Sequence, residues 1–164
     1  FFKTSPYLFR LHGVPAENVQ VLQVIVGLPW VLKPVVGLMS DIMPVCGYNK
    51  SPYMVAATVL GLCACLVLGL TSTEDMTVAV MVACLFLAWT MVTTNDILTE
   101  AVYSRRMQES ATHGADLISF VYGGINAARF VTVFASGFIL TFIGPRASYI
   151  LAMLPAGLIL VPLA

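Results

Sequence analysis

Apolar residues run through this chain in long blocks separated by brief polar turns. Ser51–Thr73 carries no charged residue, nor does Met76–Asn95, and Glu74-Asp75 lies between them. Ala147–Ala164 is a third uncharged block. Two further blocks each hold a single charge: Lys33 in Val19–Ser40 and Arg129 in Leu117–Gly144. Crossing the hydrocarbon of a bilayer takes roughly 20 predominantly apolar residues in a helix. The pattern therefore predicts about five transmembrane helices, over about 19–42, 52–72, 76–104, 116–143 and 147–164.

The connections are short (Met43–Ser51, Thr73–Asp75, Arg105–Ala115 and Gly144–Arg146), so neighbouring helices should run antiparallel. Residues 1–18 are mixed, with Lys3, Arg10, His12 and Glu17, and read as an extramembrane approach segment to a bundle over 19–164. Pro15-Ala16-Glu17-Asn18 carries the start signal of the first span. Composition agrees: 59% of the residues are hydrophobic and 10% are charged. Soluble domains hold roughly 25% charged residues, and a soluble chain of this size could not hide so much apolar surface. The fold class is an all-α membrane protein with the lipid bilayer as its solvent. The formal charge of +0 offers no basic field for nucleic acid.

Cys46, Cys63, Cys65 and Cys84 show no zinc spacing and read as small packing residues. His12 and His113 lie apart, outside the spans. There is no nucleophile–base pair and no phosphate loop, so neither a catalytic site, a metal nor a cofactor is expected. Orientation is not coded by charge. Lys50, Arg105 and Arg106 on one side balance Lys3, Arg10 and Arg146 on the other under the positive-inside rule. The chain begins without methionine and stops inside an apolar run, and it reads as a piece of something longer.

The charges at membrane depth are the candidate chemistry. Each costs at least ~2.5–3.5 kcal/mol at the centre of a span unless it finds a partner or water. Asp96 and Glu100 stand four apart and so share one helix face. A carboxylate beside another, out of water, tends to hold a proton, which suits a proton relay; the alternative is that they pair with Lys33, Arg129 or Arg105 and lock the bundle. Arg129 has Tyr122, Asn126 and Thr132 near it on helical spacing. Its planar fork suits a carboxylate, of a substrate or of Asp96. Lys33 lies between Pro29 and Pro34, which disturb the backbone ladder, and broken membrane helices normally line protein or water. Trp30 and Trp89 could stack on a flat ring or simply pack. Ala57, Gly61, Cys65 and Gly69 recur every four residues, a small-residue stripe that lets a neighbouring helix approach. Gly123-Gly124 with Ala127-Ala128 is read the same way.

One segment has a distinctive spelling. Leu28-Pro29-Trp30-Val31-Leu32-Lys33-Pro34 leads into Gly37-Leu38-Met39-Ser40-Asp41, then Pro44 and Gly47-Tyr48-Asn49-Lys50. Gly-x-x-x-Asp before a tight turn resembles the loop between the second and third helices of major-facilitator transporters. The Pro-Trp-x-x-Lys-Pro and Gly-Tyr details resemble the folate–biopterin transporter family, as do Pro6-Tyr7-Leu8-Phe9…Gly13-Val14-Pro15-Ala16-Glu17 and Asn95-Asp96…Glu100-Ala101. The basic pair usual downstream in the superfamily is thinned here to Asn49-Lys50.

The resemblance implies helices two to six of a twelve-helix carrier, a partial major-facilitator N-terminal bundle lacking its first helix and C-terminal half. It implies that Gly37, Asp41, Gly47 and Lys50 form a cytoplasmic gate. It implies alternating access to a folate or pterin, symport with protons, and a plasma-membrane location. Lys33 and Arg129 would hold carboxylates of the solute, and Asp96 with Glu100 the proton. The rival readings are a major-facilitator carrier of another small solute and, from a different class, a non-transporting scaffold or a membrane-embedded enzyme. An intramembrane enzyme would place acids on facing helices, whereas Asp96 and Glu100 share one. A scaffold would have little reason to bury Lys33 and Arg129.

Overall fold

Each apolar block folds as a helix, because backbone polar groups deprived of water must satisfy one another within the segment. A computed structural model of the protein describes residues 4–45, 47–72, 74–109 and 114–160. Seven helices follow in order: α1 Ser5–Leu11, α2 Ala16–Val31, α3 Lys33–Ile42, α4 Ser51–Leu70, α5 Val78–Glu109, α6 Gly114–Phe142 and α7 Pro145–Leu158. Four stretches are long and apolar enough to cross a membrane: Ala16–Ile42, Ser51–Leu70, Val78–Glu109 and Gly114–Phe142. The fifth expected span corresponds to α7, which is described over 14 residues with Pro155 inside it; residues 161–164 of that expectation lie outside the described ones.

The first expected span is two helices, not one. Pro34 falls in the first turn of α3, and Leu32 between α2 and α3 has φ −82° and ψ −2°. Proline has no N–H to give and its ring crowds the carbonyl four residues back, so the ladder is interrupted there. Val35 N–H turns instead to Leu32 O at 3.0 Å, a tighter three-residue bond. Pro29, by contrast, sits inside α2 without ending it.

Residues 4–15 are more ordered than a mere approach segment. Pro6 stands in the first turn of α1, where a missing N–H is harmless. The helix stops at Gly13, whose φ of +67° is open mainly to glycine. Gly13 N–H bonds Arg10 O at 3.0 Å and Val14 N–H bonds Phe9 O at 3.1 Å, the paired closure of a Schellman cap. The helix buries Leu8 and Phe9 in a core with Val26, Ala64, Cys65, Leu68, Leu85, Ala88 and Tyr149.

α5 is the axis of the bundle: α2, α3 and α4 all pack on it, and α7 packs on α4. The small-residue stripe of α4 serves two neighbours. A Cβ on Gly61 would collide with Met91 of α5, and one on Gly69 would collide with Ile150 of α7. Gly123 and Gly124 do not seat a helix in this way, since nothing lies within 4 Å of a Cβ built on either. α6 touches α5 and α7 only lightly, and none of its most apolar window is buried.

Candidate functional site

The break at Leu32 sets Lys33 at the first position of α3, where α3 crosses α5. There its ammonium forms an ion pair with Asp96 of α5. The Lys33 side chain is only 17% exposed while that of Asp96 is 45% exposed, so the pair is open from the carboxylate side. Lys33 Nζ also lies 3.8 Å from the centroid of the Trp30 ring, close enough for a cation–π contact. Trp30 meets Trp89 of α5 edge to face, with centroids 6.0 Å apart and planes at 63°. Trp89 packs against the core, and Trp30 is 42% exposed.

Beside this cluster, Asn95 is buried between α4 and α5. Its side-chain N–H groups donate to Thr58 Oγ1 at 2.9 Å and to Met91 O at 2.8 Å. Sequence reading missed this pair, because Thr58 lies in an uncharged block whose polar residues look incidental. Glu100, one turn beyond Asp96, is half-buried and makes no ion pair among the described residues. The Tyr103 side chain on the next turn lies within range of Glu100 and meets Tyr122 of α6. Arg129 is exposed on α6 and likewise forms no ion pair among the described residues. Lys33, Trp30, Trp89 and Asp96 are thus brought together, whereas Arg129 and Asp96, whose pairing is one of the two alternatives read from the sequence, form no ion pair with each other among the described residues.

A second polar cluster occupies the α3–α4 turn. Asp41, in the last turn of α3, pairs with Lys50 at the start of α4, 3.3 Å between Oδ1 and Nζ. Gly47 takes φ +83°, and Val45 and Tyr48 exchange backbone bonds of 3.0 Å across it. Tyr53 Oη donates to Met43 O at 2.8 Å, tying the turn to α4. A Cβ on Gly37 would stand 3.7 Å from Ile97, so α3 lies close on α5 without demanding glycine there. Asp41 and Lys50 open onto a cleft of about 890 Å³ that Arg105 and Arg106 also line. Asp41 pairs with no arginine among the described residues, and Arg106 pairs with Glu109 at 3.3 Å. The aspartate meets the start of the next helix through Lys50 alone. His113 lies outside the described residues.

Long apolar helices around buried polar contacts define an integral, multi-pass membrane protein of the all-α class. The chain matches the model of the BT1 family over residues 1–163 and belongs to that family. It is 26% identical over 158 residues to "Probable folate-biopterin transporter 6" of Arabidopsis thaliana, covering 96% of this chain and 31% of that protein. To the "Folate-biopterin transporter" of a Synechocystis strain it is 28% identical over 118 residues, 72% of this chain and 24% of the relative. A shorter match to "Probable folate-biopterin transporter 4" of Arabidopsis thaliana reaches 50% identity over 46 residues, 28% of this chain and 9% of that protein. The chain thus spans less than a third of the length of these relatives. No solved structure matches.

Proposed function

We propose that this chain is part of a secondary active carrier, not an enzyme, that moves folate- or pterin-type solutes together with protons by alternating access. The observation that carries the reading is the match to a family whose relatives are named folate-biopterin transporters, and the Lys33–Asp96 pair beside Trp30 and Trp89 supplies its candidate charges.

The chemistry follows from charge balance. At rest each member of the pair compensates the other at a depth where an isolated charge is costly. A solute carboxylate that reaches Lys33 competes with Asp96 for the ammonium. The displaced Asp96 is the candidate proton acceptor, so one solute carboxylate and one proton would enter together without changing the net charge of the Lys33–Asp96 pair. Trp30, 42% exposed, would offer the flat ring an apolar contact. Arg129, on the same face of α6 as Tyr122 and Asn126, serves a second carboxylate, and Glu100 passes the proton onward. Asp41 and Lys50 hold the turn of a gate that the major-facilitator architecture would place at one membrane surface. The remaining, C-terminal part of the full-length protein completes the cavity, with the solute near mid-membrane between the halves.

The test is pH-dependent uptake of labelled folate by the full-length carrier bearing Asp96→Asn or Arg129→Ala. Loss of the pH dependence in the first and a raised KM in the second are expected. Normal pH-dependent uptake in both would sink the assignment. A plasma-membrane location belongs to the same proposal, and labelling of a surface-exposed tag on intact cells tests it.

A further inference from the structure

We propose that Asn95, acting with Thr58, is a positioning residue that aims Asp96 at Lys33; the inference rests on the role given to Asp96 above. Adjacent residues on a helix point about 100° apart. Asn95 therefore faces α4 where Asp96 faces α3, and whatever fixes the first side chain fixes the direction of the second. Both amide protons of Asn95 are committed, one to Thr58 Oγ1 across the helix pair and one to Met91 O within α5. The side chain has no rotational freedom left while both bonds hold. Thr58 is fully buried and Asn95 is 8% exposed, so water does not compete for these partners.

The same seam sets the axial register. Three residues on from Thr58, Gly61 lies directly against Met91, four residues before Asn95. One contact is steric and one is a directional hydrogen bond. Together they fix how far α5 slides and how far it turns. Asn95 Oδ1 is buried, with no hydrogen-bond partner among the described residues.

The experiment uses the full-length carrier with Thr58→Val, which keeps the shape and removes the acceptor, and Thr58→Ser, which keeps the acceptor. Thr58→Val should reach near-normal amounts in the membrane, lower uptake about three- to tenfold, the effect of one ordinary hydrogen bond, and flatten the pH profile. Thr58→Ser should restore both. In an Asp96→Asn background Thr58→Val should add no further loss. A separate arm does not depend on transport. In a carrier freed of its native cysteines, Lys33→Cys with Asp96→Cys is bridged by a short bifunctional thiol reagent, and Thr58→Val should slow that bridging several-fold. Unchanged bridging, or an equal loss of uptake with and without Asp96, overturns the inference. If Asp96→Asn leaves the pH dependence intact while bridging still slows, the proton role of Asp96 fails and the positioning by Asn95 stands.

Discussion

Lys33 and Asp96 are 63 residues apart in sequence and form one ion pair, with the Trp30 ring against the ammonium at 3.8 Å. The proline break that starts α3 brings the lysine there, and the packing of α5 on α3 brings the aspartate. Removing one partner leaves the other charge half out of water, which is worse than removing both. Lys33→Gln and Asp96→Asn should each lower the melting temperature of the purified full-length protein, and the double variant should recover part of that loss. A double variant no better than the worse single one would show that the pair carries no coupling.

The gate pair is a different case. Asp41 is 63% exposed, and exposed ion pairs contribute on the order of 1 kcal/mol or less. Asp41→Asn should leave the melting temperature nearly unchanged yet alter transport, if the turn works as a gate. Reactivity of a cysteine placed at Val102, which lines the same cleft, reads the change. A large drop in stability would instead make the pair a structural clamp.

Glycine positions separate cleanly. Gly61→Ala puts a methyl into the Cβ of Met91, where the backbone itself must shift, and overpacking of this kind costs about 1–3 kcal/mol. Gly123→Ala meets nothing and should be neutral or stabilising by up to ~1 kcal/mol through helix propensity. Thermal melts of the two variants side by side check the contrast.

α1 is held chiefly by Phe9, which is fully buried. Phe→Ala in a packed core costs about 3–5 kcal/mol, enough to release so short a helix. Phe9→Ala should make the bond after the exposed Arg10 cleavable by trypsin in membranes where the parent resists it. Equal cleavage in both would show that α1 is not docked.

Much was legible in the sequence. The apolar blocks announce their helices because lipid-embedded backbone has few other ways to satisfy its hydrogen bonds, and the ends fall within a few residues of expectation for α4 and α6. The prolines flanking Lys33 foretold a disturbed ladder, although Pro34 breaks the helix and Pro29 does not, since only Pro34 stands where a new first turn can begin. The small-residue stripe from Ala57 to Gly69 was readable as a seam. Its two partners were not, because a seam's spacing says that something approaches and not what does.

What the sequence determined by itself was therefore solvent and type: a bilayer protein built of helices, with a few charges that must find company. Tertiary structure decided which company. Lys33 could have met Asp96 or Glu100, and Asp96 could have met Lys33, Arg129 or Arg105, because all carry the right charge. The choice depends on the rotation and axial slide of α5 against α3 and α4, which Gly61, Met91, Thr58 and Asn95 set by contact. Local hydropathy has no term for rotation about a helix axis, whereas side chains that interlock across two helices do.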